Sequence, residues 1–143
     1  MIEKGKIKNE LFRFSQRFKD DEACLQFLNA QKWGSGFICP YCSNVNYCKG
    51  KKKYTRRCTR CKKEISPTAH TVFHRCKIPL KKAFEIVYLS CKYPDISSYE
   101  MSDILEIRRM TCYHFQKRVK DCKRNGKDYL LLQKIGGDVT IMS

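Results

Sequence analysis

Four cysteines set the strongest constraint on this chain: Cys39, Cys42, Cys58 and Cys61 form C-x2-C-x15-C-x2-C. Two residues between paired cysteines make a tight turn that brings both sulfurs to about 2.3 Å from one ion, and two such knuckles complete a tetrahedral zinc site. The segment between the knuckles has the length of a short hairpin arm. The pattern predicts a ribbon built on one structural Zn2+, with a disulfide framework as the alternative. No apolar leader opens the chain and no run of about 20 apolar residues could cross a bilayer. Those features point to an intracellular protein whose thiols stay reduced.

The chain has ten cysteines, six of them outside this pattern. Cys24, Cys91, Cys112 and Cys122 fall on apolar faces of predicted helices, where a thiol acts as a small hydrophobe. Cys48 in the arm and Cys76 just beyond it lack a knuckle partner and stay outside the site, although either offers a spare ligand. His70 and His74 could join Cys76 at a metal, against the simpler reading of exposed histidines on a strand or loop.

Thirty Lys plus Arg against 14 Asp plus Glu give a net charge of +16 and a pI of about 9.5. Such a balance predicts a polyanionic partner, nucleic acid first. No segment shows the separate aromatic and cationic faces of a membrane-surface helix. The basic residues cluster in Lys49 to Arg57, Arg60 to Lys63, Arg108 to Arg109 and Lys117 to Arg124.

The organisation read along the chain is a small α+β fold. Residues 1–11 are polar and lysine-rich, and are expected to be a flexible N-terminus. Residues 12–76 hold a lead helix and the ribbon. Phe12, Phe14 and Phe18 precede a helix capped by Asp20 or Asp21, with Cys24, Phe27 and Leu28 on one face and an end near Gln31. Trp33, Gly34 and Gly36 turn the chain into a short strand at Phe37 and Ile38. Gly50 lies near the tip of the arm, Tyr54 to Arg57 returns as a strand, and Ile65 and Thr71 to Phe73 supply further β-type segments.

Residues 77–125 read as three helices. Leu80, Ala83, Phe84, Val87, Tyr88 and Cys91 recur at helical intervals, and Tyr93-Pro94-Asp95 stops them. Ser97 with Glu100 is a capping box for a second helix through Met101, Ile104 and Leu105. After a break at Glu106 to Arg108, a third helix begins near Arg109. It places Cys112, Phe115, Val119 and Cys122 inward, and Arg109, Met110, Tyr113, His114, Lys117 and Lys120 outward. A short helix, a tight turn and a longer basic helix predict a helix-turn-helix whose last helix enters the major groove. The alternative is a plain three-helix bundle that braces the ribbon. Glu106 occupies a turn where glycine is common, which implies a different backbone path or strain.

The run from Arg17 to Leu28, then Lys32-Trp33-Gly34-Ser35-Gly36-Phe37-Ile38-Cys39-Pro40-Tyr41-Cys42, resembles the N-terminal zinc-ribbon module of DDE-type bacterial insertion-sequence transposases. The resemblance continues through Cys58-Thr59-Arg60-Cys61, Ser66 to Phe73 and Ile78-Pro79-Leu80, and covers about Phe12 to Lys120. His70 departs from it, since such modules usually have glycine before the threonine. In that family the ribbon and helix-turn-helix recognise element-end DNA, and an RNase H-like domain with three acidic metal ligands cleaves and transfers strands.

Two-metal phosphoryl transfer needs carboxylates converging on Mg2+. In the family a strand reading approximately Gly-x-Val-Glu-Val-Asp-Glu follows, and residues 126–143 form a C-terminal tail whose Gly137 to Ser143 resembles its remnant. Met142 then stands where the first catalytic Asp would be, and a thioether cannot hold Mg2+. The expectation is therefore a non-enzymatic, zinc-stabilised, sequence-specific DNA-binding protein of the bacterial cytoplasm and nucleoid. Arg108, Arg109, Tyr113, His114 and Lys117 are its expected DNA face, with Lys51, Lys52, Lys53, Arg56 and Arg57 holding phosphates. Its partner would be double-stranded DNA at element ends or a promoter, with a homodimer or an intact transposase as further associations. The competing readings are a fragment of an active transposase, an RNA-binding ribbon and a protein-interaction adaptor.

Overall fold

A computed structural model of the chain describes residues 4–126 and 129–136. It is a small α+β fold: two helices, a three-stranded antiparallel sheet, then four helices. The first helix, α1 (Lys4–Arg17), corrects the expectation of a flexible start. Ile7, Leu11 and Phe14 recur at four- and three-residue spacing and are buried, so the lysines beside them lie along the solvent side of an amphipathic helix. Phe12 points away from that stripe and is 69% exposed.

Helix α2 (Asp21–Trp33) follows after Asp20, whose carboxylate accepts the Ala23 N–H at 2.8 Å as an N-cap. It runs two residues past Gln31 and ends on Trp33, which is buried against Phe37 with ring centroids 5.0 Å apart. The sheet consists of β1 (Tyr47–Lys49), β2 (Arg56–Cys58) and β3 (Glu64–Ile65), in the order β1-β2-β3. Cys48 pairs with Arg57 in the first ladder and Arg56 with Ile65 in the second. Gly50 begins the β1–β2 connection where a Cβ would stand 2.7 Å from Glu64 Oε1 and from Thr55 Cγ2, so the position excludes a side chain.

Two expected strands are absent. Phe37 and Ile38 take no strand partner, and Phe37 instead packs against Trp33 as the ribbon's apolar floor. Thr71 to Phe73 lies in successive tight turns, closed by Thr71 N–H to Thr68 O at 3.2 Å and His74 N–H to Thr71 O at 2.9 Å. His70 and Arg75 bracket this loop with φ of 61° and 53°. The left-handed backbone at His70 is a conformation that glycine adopts without strain.

Helices α3 (Leu80–Lys92), α4 (Ser98–Leu105) and α5 (Arg109–Asn125) match the expected periodicity. The Ser97 half of the capping box forms: Ser97 Oγ accepts the Glu100 N–H at 3.1 Å, while the Glu100 carboxylate takes the Ser97 hydroxyl at 3.2 Å. Ser97→Ala is expected to lower the unfolding free energy by about 1 kcal/mol; a denaturation midpoint equal to the parent's would contradict it. Glu106 turns the corner between α4 and α5 at φ 58°, ψ 45°, so the chain takes the left-handed path with a side chain in place. A final helix, α6 (Tyr129–Gly136), occupies the part of the tail ahead of the proposed strand remnant: Leu132 and Ile135 are buried, and the helix packs on α3. Gly137 to Ser143, including Met142, lies outside the described residues.

The helices share one core, centred on α3 and reached by Ile7, Phe18, Leu28, Phe73, Met101, Val119 and Leu132. Trp33, Phe37, Cys39, Cys58 and Ile65 form a separate, much smaller cluster in the ribbon. The chain enters the ribbon through Trp33 and returns to the helices at Val72 and Phe73.

Candidate metal centre and nucleic-acid interface

The two knuckles have the same backbone construction. Ser43 N–H donates to Cys39 O at 2.9 Å and Lys62 N–H to Cys58 O at 3.1 Å, each from a residue of positive φ, 63° and 66°. Five residues on from each first cysteine the bond reverses, with Cys39 N–H on Asn44 O and Cys58 N–H on Lys63 O. The repeat presents the cysteine pairs to each other, and the four sulfurs all lie within 4.8 Å of one another. Cys39 and Cys61 Sγ are 3.6 Å apart and Cys42 and Cys58 Sγ 3.5 Å. A tetrahedron with sulfur about 2.3 Å from its centre has edges of about 3.8 Å, whereas a disulfide needs about 2.05 Å, so the geometry fits one zinc ion and no disulfide.

The donors around the sulfurs favour thiolates. Tyr41 N–H approaches Cys39 Sγ at 3.4 Å, while Arg60 N–H, Cys61 N–H and the Asn44 amide approach Cys58 Sγ at 3.4, 3.5 and 3.3 Å. Burial pushes the Cys58 thiol up, but those donors, with the Cys42 thiol, hold it down at about 5. Cys42 moves the other way, to about 11: the Asn44 N–H lowers it, while burial and its three neighbouring thiols raise it further. Four sulfurs this close cannot all carry charge alone, and a bound dication removes that conflict.

Among the described residues these four cysteines are the only group of three or more side chains placed to share a metal. Cys48 is exposed on β1. Cys76 Sγ donates to Ile78 O at 3.4 Å, and the His70 and His74 rings stack on each other with centroids 5.8 Å apart. Burial pushes the Cys24 thiol up to about 12 and Cys112 to about 11, as befits sulfurs used for packing.

The expected DNA residues fall into two groups. Arg108 just before α5, and Tyr113, His114 and Lys117 on it, are exposed, and Arg109 is half-buried, its guanidinium 4.5 Å from the centre of the Tyr99 ring. Cys112, Phe115, Gln116, Val119 and Cys122 take the opposite side. Buried Gln116 donates to Ile96 O at 3.1 Å, and Lys82 donates to Leu105 O at 2.9 Å, which fixes α4 and α5 on the core. The first turn of α5 contains no acid, and its N-terminus has no side-chain cap.

The arm is less uniform than its sequence. Lys51, Lys52 and Arg57 are exposed, and Lys53 is exposed but paired with Glu22. Arg56 is half-buried, with its guanidinium 4.3 Å from the Tyr47 ring centre and 5.2 Å from that of Trp33. A planar cation between two rings is a packing element of the ribbon. Sequence reasoning missed Arg118, whose guanidinium donates to Val72 O and His74 O at 3.0 Å each and ties the loop leaving the ribbon to α5. An arginine among several on a basic helix carries no local signal of that role.

Residues 19–64 match the family profile of the transposase zinc-ribbon domain. The match spans the lead helix, both knuckles and the sheet, and leaves α1 and α3 to α6 outside. No curated protein and no solved structure matches the chain.

Proposed function

We propose that this chain is a non-enzymatic, sequence-specific binder of double-stranded DNA, related to the DNA-recognition part of insertion-sequence transposases. The observation that carries the reading is the face of α5. Arg108, in the three-residue turn after α4, and Tyr113, His114 and Lys117 on α5 are exposed, and Arg109 is half-buried at the start of the helix, a short helix, tight turn and basic helix that we read as a helix-turn-helix. Arginine and lysine there reach guanine edges or phosphates, and the exposed lysines of the arm add phosphate contacts. Zinc holds the ribbon closed, and Arg118 carries that order to α5.

The two DNA-contacting groups have different expected roles. Selection from a random duplex pool should enrich one site for the zinc-loaded chain, and Arg109→Ala should relax preference at one position with a loss of about 1–3 kcal/mol. Lys51→Ala should weaken all duplexes alike. A pool without enrichment, or structured RNA that outcompetes every duplex, would overturn the reading. Element ends and a promoter are both suitable targets, and an enriched site with two-fold symmetry would assign a homodimer.

A further inference from the structure

Helix α5 is flanked by two clefts. The first, of about 470 Å³, is lined by Tyr113, Gln116, Lys117 and Lys120 of α5 and by Asp95 to Ser98 before and at the start of α4. The second, of about 360 Å³, is lined by Thr111, His114, Phe115 and Arg118 of α5 and by Arg75 to Ile78 in the segment that joins the ribbon to α3. At about 100° per residue, the two sets of α5 residues lie about 160° apart around the helix axis. The exposed stripe of Met110, Tyr113, His114 and Lys117 runs between them.

A major groove about 12 Å wide just admits a helix about 10–12 Å across, so the two phosphate backbones that border it must run along the helix's flanks. The second cleft suits one of them. No acid lines it, and Arg75 and Lys77 are exposed at its edge. Arg118 holds the carbonyls of Val72 and His74 and so sets where that edge stands relative to α5. We propose that this cleft seats one DNA strand's phosphates, and that Arg75 and Lys77 are phosphate-contacting residues of the interface. The inference rests on the duplex-binding reading above and extends it. The segment between ribbon and helices becomes part of the binding surface, so ribbon and α5 engage one duplex as a unit.

The test is the salt dependence of duplex binding by the full zinc-loaded chain carrying Arg75→Asn and Lys77→Gln. Asparagine is chosen because residue 75 has a positive φ. Two lost phosphate contacts should reduce the slope of log affinity against log salt by about 1.8, so the fall in affinity between about 50 and about 200 mM salt shrinks about tenfold. The enriched sequence should be unchanged. If the double variant melts earlier than the parent, Lys77→Gln alone should reduce the slope by about 0.9. A steep parental slope that the variants leave intact overturns this inference alone. A parent with no salt-dependent duplex binding overturns the proposed function itself.

Discussion

Cys58→Ser is expected to abolish stoichiometric zinc binding and to unfold the ribbon while the helices stay folded. The ribbon's apolar cluster comprises Trp33, Phe37, Cys39, Cys58 and Ile65, and two of those five are themselves ligands. Ordering each residue costs about 1–2 kcal/mol of backbone entropy, which a cluster of this size cannot offset across the knuckles and arm. Structural zinc supplies about 10–16 kcal/mol of apparent binding free energy, and that binding energy is folding energy. Cys58 is also the sulfur with most donors, so a hydroxyl there leaves the Asn44 amide and two N–H groups around a poor ligand. Metal analysis should show far less than one zinc per chain, with amide exchange lost across residues 37–66 and helical circular dichroism largely kept. A strong chelator on the parent should give the same pattern. One zinc per chain in the variant, or protected ribbon amides after chelation, would contradict a structural site.

Phe84→Ala has the opposite geography. Phe84 is fully buried on α3, its ring centroid 5.0 Å from Phe18, 6.1 Å from Phe27 and 4.8 Å from Phe73. The residue therefore joins the end of α1, helix α2 and the loop that leaves the ribbon. Truncation leaves a cavity among rings that are already packed against one another, and such changes cost about 3–5 kcal/mol. Against a total stability of about 5–15 kcal/mol this removes a large share. Guanidinium unfolding followed by the helical signal should shift accordingly, while the knuckles, whose apolar cluster is separate, retain zinc in the folded fraction. A loss below about 1 kcal/mol would mean that Phe84 is not at the junction of these elements.

The metal site was legible in the sequence because its geometry is local: two residues between cysteines determine a turn whichever fold surrounds it. The capping box at Ser97 and the inward and outward faces of α5 were legible for the same reason, one period or one cap being enough to define them. The misreadings share a cause, which is tertiary choice. The lysines around Ile7, Leu11 and Phe14 made the N-terminus look too polar to order, yet three apolar residues on one stripe suffice once α1 has a core to meet. In the tail, Leu132 and Ile135 lie three residues apart, and only the presence of α3 gives that pair a face to bury against. Phe37 and Ile38 carry strand-forming side chains, but a strand exists only where a neighbour pairs with it, and β1 to β3 complete the sheet without them. Arg56 reads in sequence as one more cation in a basic run, and its packing on Trp33 and Tyr47 depends on residues that only the fold brings to it.

The central claim is that the zinc-ordered chain presents a cationic surface to duplex DNA. It is tested most directly by the affinity of the zinc-loaded protein for its selected duplex across a range of salt, measured by fluorescence anisotropy. On the proposed reading helix face, arm and linker would make about six phosphate contacts, so affinity should fall at least about a thousandfold between about 50 and about 200 mM salt. Chelation should abolish the specific component. An affinity independent of salt, or equal binding by the chelated chain, would contradict the account.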